Sequence, residues 1–180
     1  MANHRKVYLE ITNVCNLRCA FCPGTTRPPH SLTEAEFSVL LDRVAPWAEY
    51  LYYHLMGEPT AHPLLPRFME MAADLGMKSV ITTNGTLLPA RGQAILSANP
   101  HKVSISLHSF EGDDREKHRK YLAEVAEFAQ KAAERGTIVV LRLWNKGFDK
   151  GRNDLALEFL QNAIPGQWKE NTRGFRIREK

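Results

Sequence analysis

Cysteine is scarce in this chain and confined to one place: Cys15, Cys19 and Cys22 are the three cysteines of its 180 residues. An odd, closely spaced set argues against a disulfide framework and for a reducing compartment, and no second, distant pair follows to build a zinc ribbon. Long apolar runs are also missing. No stretch reaches the ~18 apolar residues of a membrane span, and residues 1–6 run into a strand without a signal-type apolar region. Charge of one sign is missing too. The 24 basic and 20 acidic residues leave +4, spread too widely for a nucleic-acid footprint, and neither an arginine-rich helix nor an RNA-binding module stands out. The densest basic run, Arg173, Arg176, Arg178 and Lys180, reads as a solvated end. A soluble, cytoplasmic protein is expected. No linker, fixed-length repeat or low-complexity segment divides the sequence, so residues 1–180 are expected to form one domain, long enough to bury a sizeable core.

What is present alternates from end to end. Strands are expected at residues 6–11, 50–56, 79–83, 102–107 and 137–144, with a sixth at 174–178. Between them lie helical patterns. A capping box at Thr33–Glu36 opens one carrying Phe37, Leu40, Leu41 and Val44. Leu64, Phe68, Met71, Ala72 and Leu75 mark a second, and further helices are expected over about 89–98, 114–135 and 154–164. Single strands separated by helices require parallel pairing with right-handed crossovers. An α/β fold follows, either an incomplete barrel or an open doubly wound sheet.

The cysteines sit at C-x3-C-x2-C directly after the first strand, on a loop able to wrap one metal centre. Thiolates ligate iron in iron–sulfur clusters, and a [4Fe–4S] cube has four irons. Three protein ligands leave one iron open for chemistry. A Cys3His zinc site completed by His30 or His54, or three unligated thiols, is the competing reading.

Segment 15–22, with Phe21 as the aromatic before the last cysteine, resembles the cluster loop of the radical S-adenosylmethionine (SAM) enzymes. The wider stretches 9–19 and 104–109 are similar to the branch whose members often carry a C-terminal SPASM or twitch extension. The resemblance implies a partial (β/α)6 barrel of parallel strands. It implies that Cys15, Cys19 and Cys22 hold the cube and that the amino and carboxylate groups of SAM chelate the open iron. It also implies an external one-electron reductant of flavodoxin or ferredoxin type and, since many members of that branch modify peptides or proteins, a peptide or protein as a candidate substrate. Without a later cysteine an auxiliary cluster cannot be built from this sequence. The sequence also stops where a sixth strand would finish, so the closing C-terminal elements are expected to be lacking, as in a truncated core, a minimal enzyme or one that borrows its substrate site from a partner. A catalytically degenerate scaffold that needs a partner is a further alternative.

In parallel barrels the site lies at the C-terminal ends of the strands, and that rule selects a mostly polar set here. After the second strand, Gly57 and Glu58 are similar to the family's Gly-Gly-Glu segment for the SAM amino group, with Met56 in place of the first glycine. After the third, Thr83 and Asn84 are similar to its Thr-Asn-Gly segment. Taken alone, both read as ordinary turns. On the fourth strand, Ser104, Ser106 and His108 alternate with Val103, Ile105 and Leu107. By resemblance Ser106 is a ribose or carboxylate contact, while His108 is either substrate-facing or a hydrogen-bonded loop histidine. Arg142 stands between Leu141 and Leu143, and an arginine in such a run needs an anion. The SAM carboxylate and Glu10 are the candidates. Tyr53 and Trp144 line either a substrate cavity or the core.

Overall fold

The computed structural model describes residues 5–111, 114–143, 149, 151–171 and 174–178. Five parallel strands occur in chain order: β1 (Lys6–Tyr8), β2 (Tyr50–Tyr52), β3 (Lys78–Thr83), β4 (Lys102–Ser106) and β5 (Ile138–Arg142). Between them run α1 (Glu34–Val44), α2 (Leu65–Asp74), α3 (Leu88–Ser97) and α4 (Arg115–Glu134), and α5 (Arg152–Ala163) follows β5. A doubly wound sheet reverses its strand order at a switch point. Here the order β1-β2-β3-β4-β5 is sequential, so the crossovers all step the same way, as in a partial barrel.

Each crossover has a local cause. The expected capping box opens α1: Glu36 N–H donates to Thr33 Oγ1 (3.2 Å) and Thr33 N–H to the Glu36 carboxylate (2.8 Å). One face of the sheet carries Leu51, Tyr53, Ile81, Val103, Ile105, Val139 and Leu141, all essentially fully buried in one core with Phe68, Val125 and Ala129 of the helices. Removing such a side chain to alanine costs about 2–5 kcal/mol. Tyr53 belongs to this core and not to a cavity wall, because its ring stacks on Phe37 and its hydroxyl meets Ser79 Oγ at 2.8 Å. Trp144 lies outside the described residues. The opposite face carries Tyr8, Tyr52, Thr82, Ser104, Ser106 and Arg142, set side by side by the register Tyr8↔Tyr52, Thr82↔Ser104 and Ser106↔Arg142.

β1 and β2 end well short of the expected residues because side chains and a returning loop take over their backbone groups. Beyond Tyr8, Leu32 N–H donates to Ile11 O (2.8 Å) and Thr12 bridges Ser31. Beyond Tyr52, the Met56 N–H goes to the Glu10 carboxylate (2.8 Å). The sheet also closes differently from a sixth parallel strand. An unexpected strand, β6 (Gln167–Asn171), forms a hairpin with β7 (Gly174–Arg178), which inserts antiparallel beside β5 to give the order β5-β7-β6. With so short a connection between β6 and β7, antiparallel pairing is the available geometry. Among the described residues, no helix is long and apolar enough to cross a membrane.

Candidate functional site

The cysteine loop leaves β1 at the C-terminal edge of the sheet, and its neck is pinned. Asn13 Nδ2 donates to Pro28 O (2.8 Å), its Oδ1 accepts the His30 N–H (2.7 Å), and Thr12 Oγ1 meets Ser31 Oγ at 2.8 Å. Within the loop, Cys22 N–H donates to Cys19 O (3.0 Å) and Leu17 N–H to Cys15 Sγ (3.5 Å). Cys15 and Cys22 are exposed, and Cys19 is half-buried. Partial burial pushes the Cys15 and Cys19 thiols up, with nearby carboxylates (Glu58 for Cys15, Glu111 for Cys19) and the neighbouring cysteines adding to the effect. Metal binding would displace those protons, since the thiolate is the ligand. His30 faces Glu36 (3.5 Å) and His54 packs against Tyr8 and Tyr52, so the structure brings neither to the cysteines. Among the described residues, no three His, Cys, Asp or Glu converge tightly enough to hold a single metal ion.

Next to the loop on one side lies a buried polar lattice. Gly57 sits where a Cβ would stand 2.1 Å from Thr12 O, so only glycine lets the turn after β2 lie against the start of the cysteine loop. Glu58 N–H donates to Val14 O (2.9 Å) at the same contact. The Glu58 side chain is 3% exposed and turned inward. One carboxylate oxygen accepts Thr60 N–H (3.0 Å) and Thr60 Oγ1 (2.7 Å), and the other accepts Asn84 N–H (2.7 Å). Burial holds its carboxyl above the usual range. Thr83 is buried, its Oγ1 accepting Gly85 N–H (3.0 Å). The Asn84 amide is spent on the loop: Nδ2 donates to Asn16 Oδ1 (2.9 Å) while Oδ1 accepts from Thr86 N–H and Oγ1 (2.9 and 2.7 Å). Asn16 Nδ2 closes the triangle on Thr86 Oγ1 (2.8 Å), and Tyr121 Oη donates to Asn84 O (2.8 Å).

The other side of the loop meets the end of β4. There the chain tightens into a 3-10 turn, Leu107–Ser109, so His108 leaves the strand alternation. Its Nδ1 lies 3.0 Å from Arg142 O, and because a carbonyl only accepts, Nδ1 carries the proton. His108 is thus hydrogen-bonded within the turn that follows β4. Phe21, 54% exposed, rests on its ring with centroids 5.0 Å apart. Cys19 Sγ donates to Ser109 O (3.8 Å), and Ala20 N–H is shared between both Glu111 carboxylate oxygens (2.9 and 3.0 Å). Ser106 and Arg142 face each other in register at this end of the sheet. Burial lowers the half-buried Arg142 from its ordinary range. Glu10 is taken by Arg27 Nη2 (2.5 Å) and the Met56 amide and not by Arg142.

The structure thus gathers the cysteines, Phe21, Gly57, Glu58, Thr83, Asn84, Ser106 and Arg142 along one edge. Sequence reasoning missed Asn16, Thr60, Thr86, Tyr121 and Glu111. Asn16 and Thr86 adjoin segments already singled out, and Tyr121 reads as one more apolar-face residue of its helix. Glu111 carries no local signal at all.

Known proteins resemble the chain in part. Over 115 residues it is 35% identical to a GTP 3',8-cyclase of Chlorobaculum tepidum, covering 62% of this chain and 34% of that protein. Over 121 residues it is 30% identical to an AdoMet-dependent heme synthase of Methanosarcina barkeri, covering 65% and 34%. The chain therefore spans about a third of the length of these curated relatives. In structure it is similar to Streptococcus suis SuiB bound to S-adenosylmethionine, at a TM-score of 0.64 and 19% identity over 97% of this chain and 43% of SuiB. SuiB has also been solved with its precursor peptide, at a TM-score of 0.52, 15% identity, and coverage of 89% and 47%. The sequence model of the Radical SAM superfamily matches residues 9–145, a span that holds every cysteine and each candidate residue above, and the chain belongs to that superfamily, whose enzymes bind a [4Fe–4S] cluster and SAM.

Proposed function

We propose that this chain is the SAM-cleaving core of a radical SAM enzyme, with Cys15, Cys19 and Cys22 as the cluster ligands. The observation that carries the reading is that the chain's three cysteines share one neck-pinned loop at the C-terminal edge of the parallel strands. The donor set fits a cube: the thiols are partly open to solvent, influence one another electrostatically, and neither His30 nor His54 turns to them as a fourth ligand. When bound, the cluster supplies one electron that cleaves SAM to methionine and a 5′-deoxyadenosyl radical, which abstracts hydrogen from a substrate.

The chain's own residues bind and orient. Phe21 covers the loop beside Cys22. Ser106 and Arg142, paired across β4 and β5, offer a hydroxyl and a cation at the strand ends for the polar groups of SAM. Gly57, Glu58, Thr83 and Asn84 shape the neighbouring wall. In this structure the Glu58 carboxylate and the Asn84 amide brace the loops internally, so their support for SAM is exercised through backbone position. An electron donor of flavodoxin or ferredoxin type fits the need for a reductant. A peptide substrate rests on the likeness to the peptide-modifying branch and is tested with peptides once turnover is established.

Anaerobic reconstitution with iron and sulfide, then dithionite and SAM, should release 5′-deoxyadenosine and methionine. Cys15→Ala, Cys19→Ala and Cys22→Ala should each lower iron content and abolish release. Full iron content in all three variants would overturn the ligand assignment.

A further inference from the structure

Residues 108–111 hold the cysteine loop from behind, and their three contacts fall on three successive loop residues. The Cys19 thiol reaches Ser109 O, the Ala20 amide reaches Glu111, and the Phe21 ring rests on His108. The middle contact differs in kind from the other two. A backbone N–H next to a cluster ligand is a natural donor to the cluster's sulfurs, and such bonds help to set the reduction potential because they stabilise the more negative, reduced state. Here that N–H is committed to both oxygens of a carboxylate at 2.9 and 3.0 Å. The same carboxylate places a negative charge beside Cys19, where an added electron must reside, and like charges at short range oppose reduction. The Glu111 main chain is tied in turn to α5, with Arg152 Nη1 donating to Glu111 O at 3.5 Å.

Resting on the assignment of Cys15, Cys19 and Cys22 as ligands, we infer that Glu111 is a positioning residue that fixes the cysteine loop through the Ala20 amide and lowers the cluster's reduction potential. It touches neither substrate nor reacting atoms. Its effect passes through the loop and through the field at Cys19.

Two variants separate the two halves of this role. Glu111→Gln keeps an acceptor for the Ala20 N–H and removes the charge, whereas Glu111→Ala removes both. In the metal-free protein, hydrogen exchange at the Ala20 amide should accelerate at least about tenfold in Glu111→Ala, the loss expected for a hydrogen bond to a charged acceptor. In the cluster-loaded protein, a potentiometric titration followed by the EPR signal of the reduced cluster should move to more positive potential in Glu111→Gln, with iron content equal to wild type. Unchanged Ala20 exchange in Glu111→Ala, or an unchanged potential in Glu111→Gln, would overturn the inference. Iron uptake by the wild type reports separately on the ligand assignment. If the wild type takes up no iron, that assignment and the effect on potential both fall, while the exchange measurement still decides the loop contact.

Discussion

On the side facing β2 and β3, the cysteine loop rests on a lattice centred on the buried Glu58, Thr60 and Asn84; on the side facing β4, it rests on the buried His108 and Ser109 and on Glu111, which is open to solvent. Each side has a glutamate holding backbone amides, and the pair isolates what burial does. Glu58, almost wholly buried, receives donors on both oxygens from Thr60 and Asn84. Glu111, open to solvent, receives a single N–H that could be satisfied by one oxygen alone. A buried acceptor with donors on both oxygens tolerates little change, because a lost partner leaves donors with no water to replace it. An exposed one exchanges with water at little cost to the fold. The first side should therefore answer to global stability and the second to local order and the chemistry of the loop.

Four measurements sharpen or break this contrast. Gly57→Ala should have the largest effect, about 3 kcal/mol or more in denaturant or thermal unfolding, since its Cβ would lie 2.1 Å from Thr12 O and overpacking against backbone has no side chain to yield. Glu58→Gln comes next at about 1–3 kcal/mol. Donors face both of the Glu58 oxygens, so the new amide NH2 must point at one of them. Asn16→Ala should cost about 1 kcal/mol by opening the triangle with Asn84 and Thr86. Smallest in global terms is iron removal by chelation from a loaded sample. It should raise amide exchange at residues 19–22 while leaving residues 83–86 protected. Equal loss of protection on both sides, or a Glu58→Gln variant as stable as wild type, would dissolve the distinction.

The two sides also differ in how readily the sequence disclosed them. The periodic core positions, the Thr33–Glu36 box and the cysteine spacing are local patterns, and their placement in the structure follows them closely. The turns at Gly57–Glu58 and Thr83–Asn84 were legible as positions at strand ends, yet not as partners. That Glu58 bonds the Asn84 amide across 26 positions follows from β2 and β3 lying side by side, which no local pattern encodes. Glu111 was invisible for the same reason, its contact spanning 91 positions from a loop rich in ordinary polar residues. Strand β6 escaped because Gln167-Trp168-Lys169-Glu170-Asn171 lacks apolar alternation, and the hairpin that orients β7 has no Asn-Gly or Asp-Gly signature. The assignment of Tyr53 to a cavity or to the core turned on which face of β2 meets α1, and the alternation of Leu51 and Tyr53 with Tyr50 and Tyr52 already held that answer.

The sequential strand order has a consequence for how the protein comes into being. Each parallel pair joins strands adjacent in sequence, so a chain leaving the ribosome can add one strand at a time without waiting for a distant partner. The cysteines run against that order. They come before β2 in the chain, whereas Ser109 and Glu111, which hold them from behind, arrive about 90 positions later. Until β4 has been made, the thiols hang from a loop fastened on one side only. If these thiols take iron as proposed, a loop held on both sides is ready for it only once Glu111 has been made.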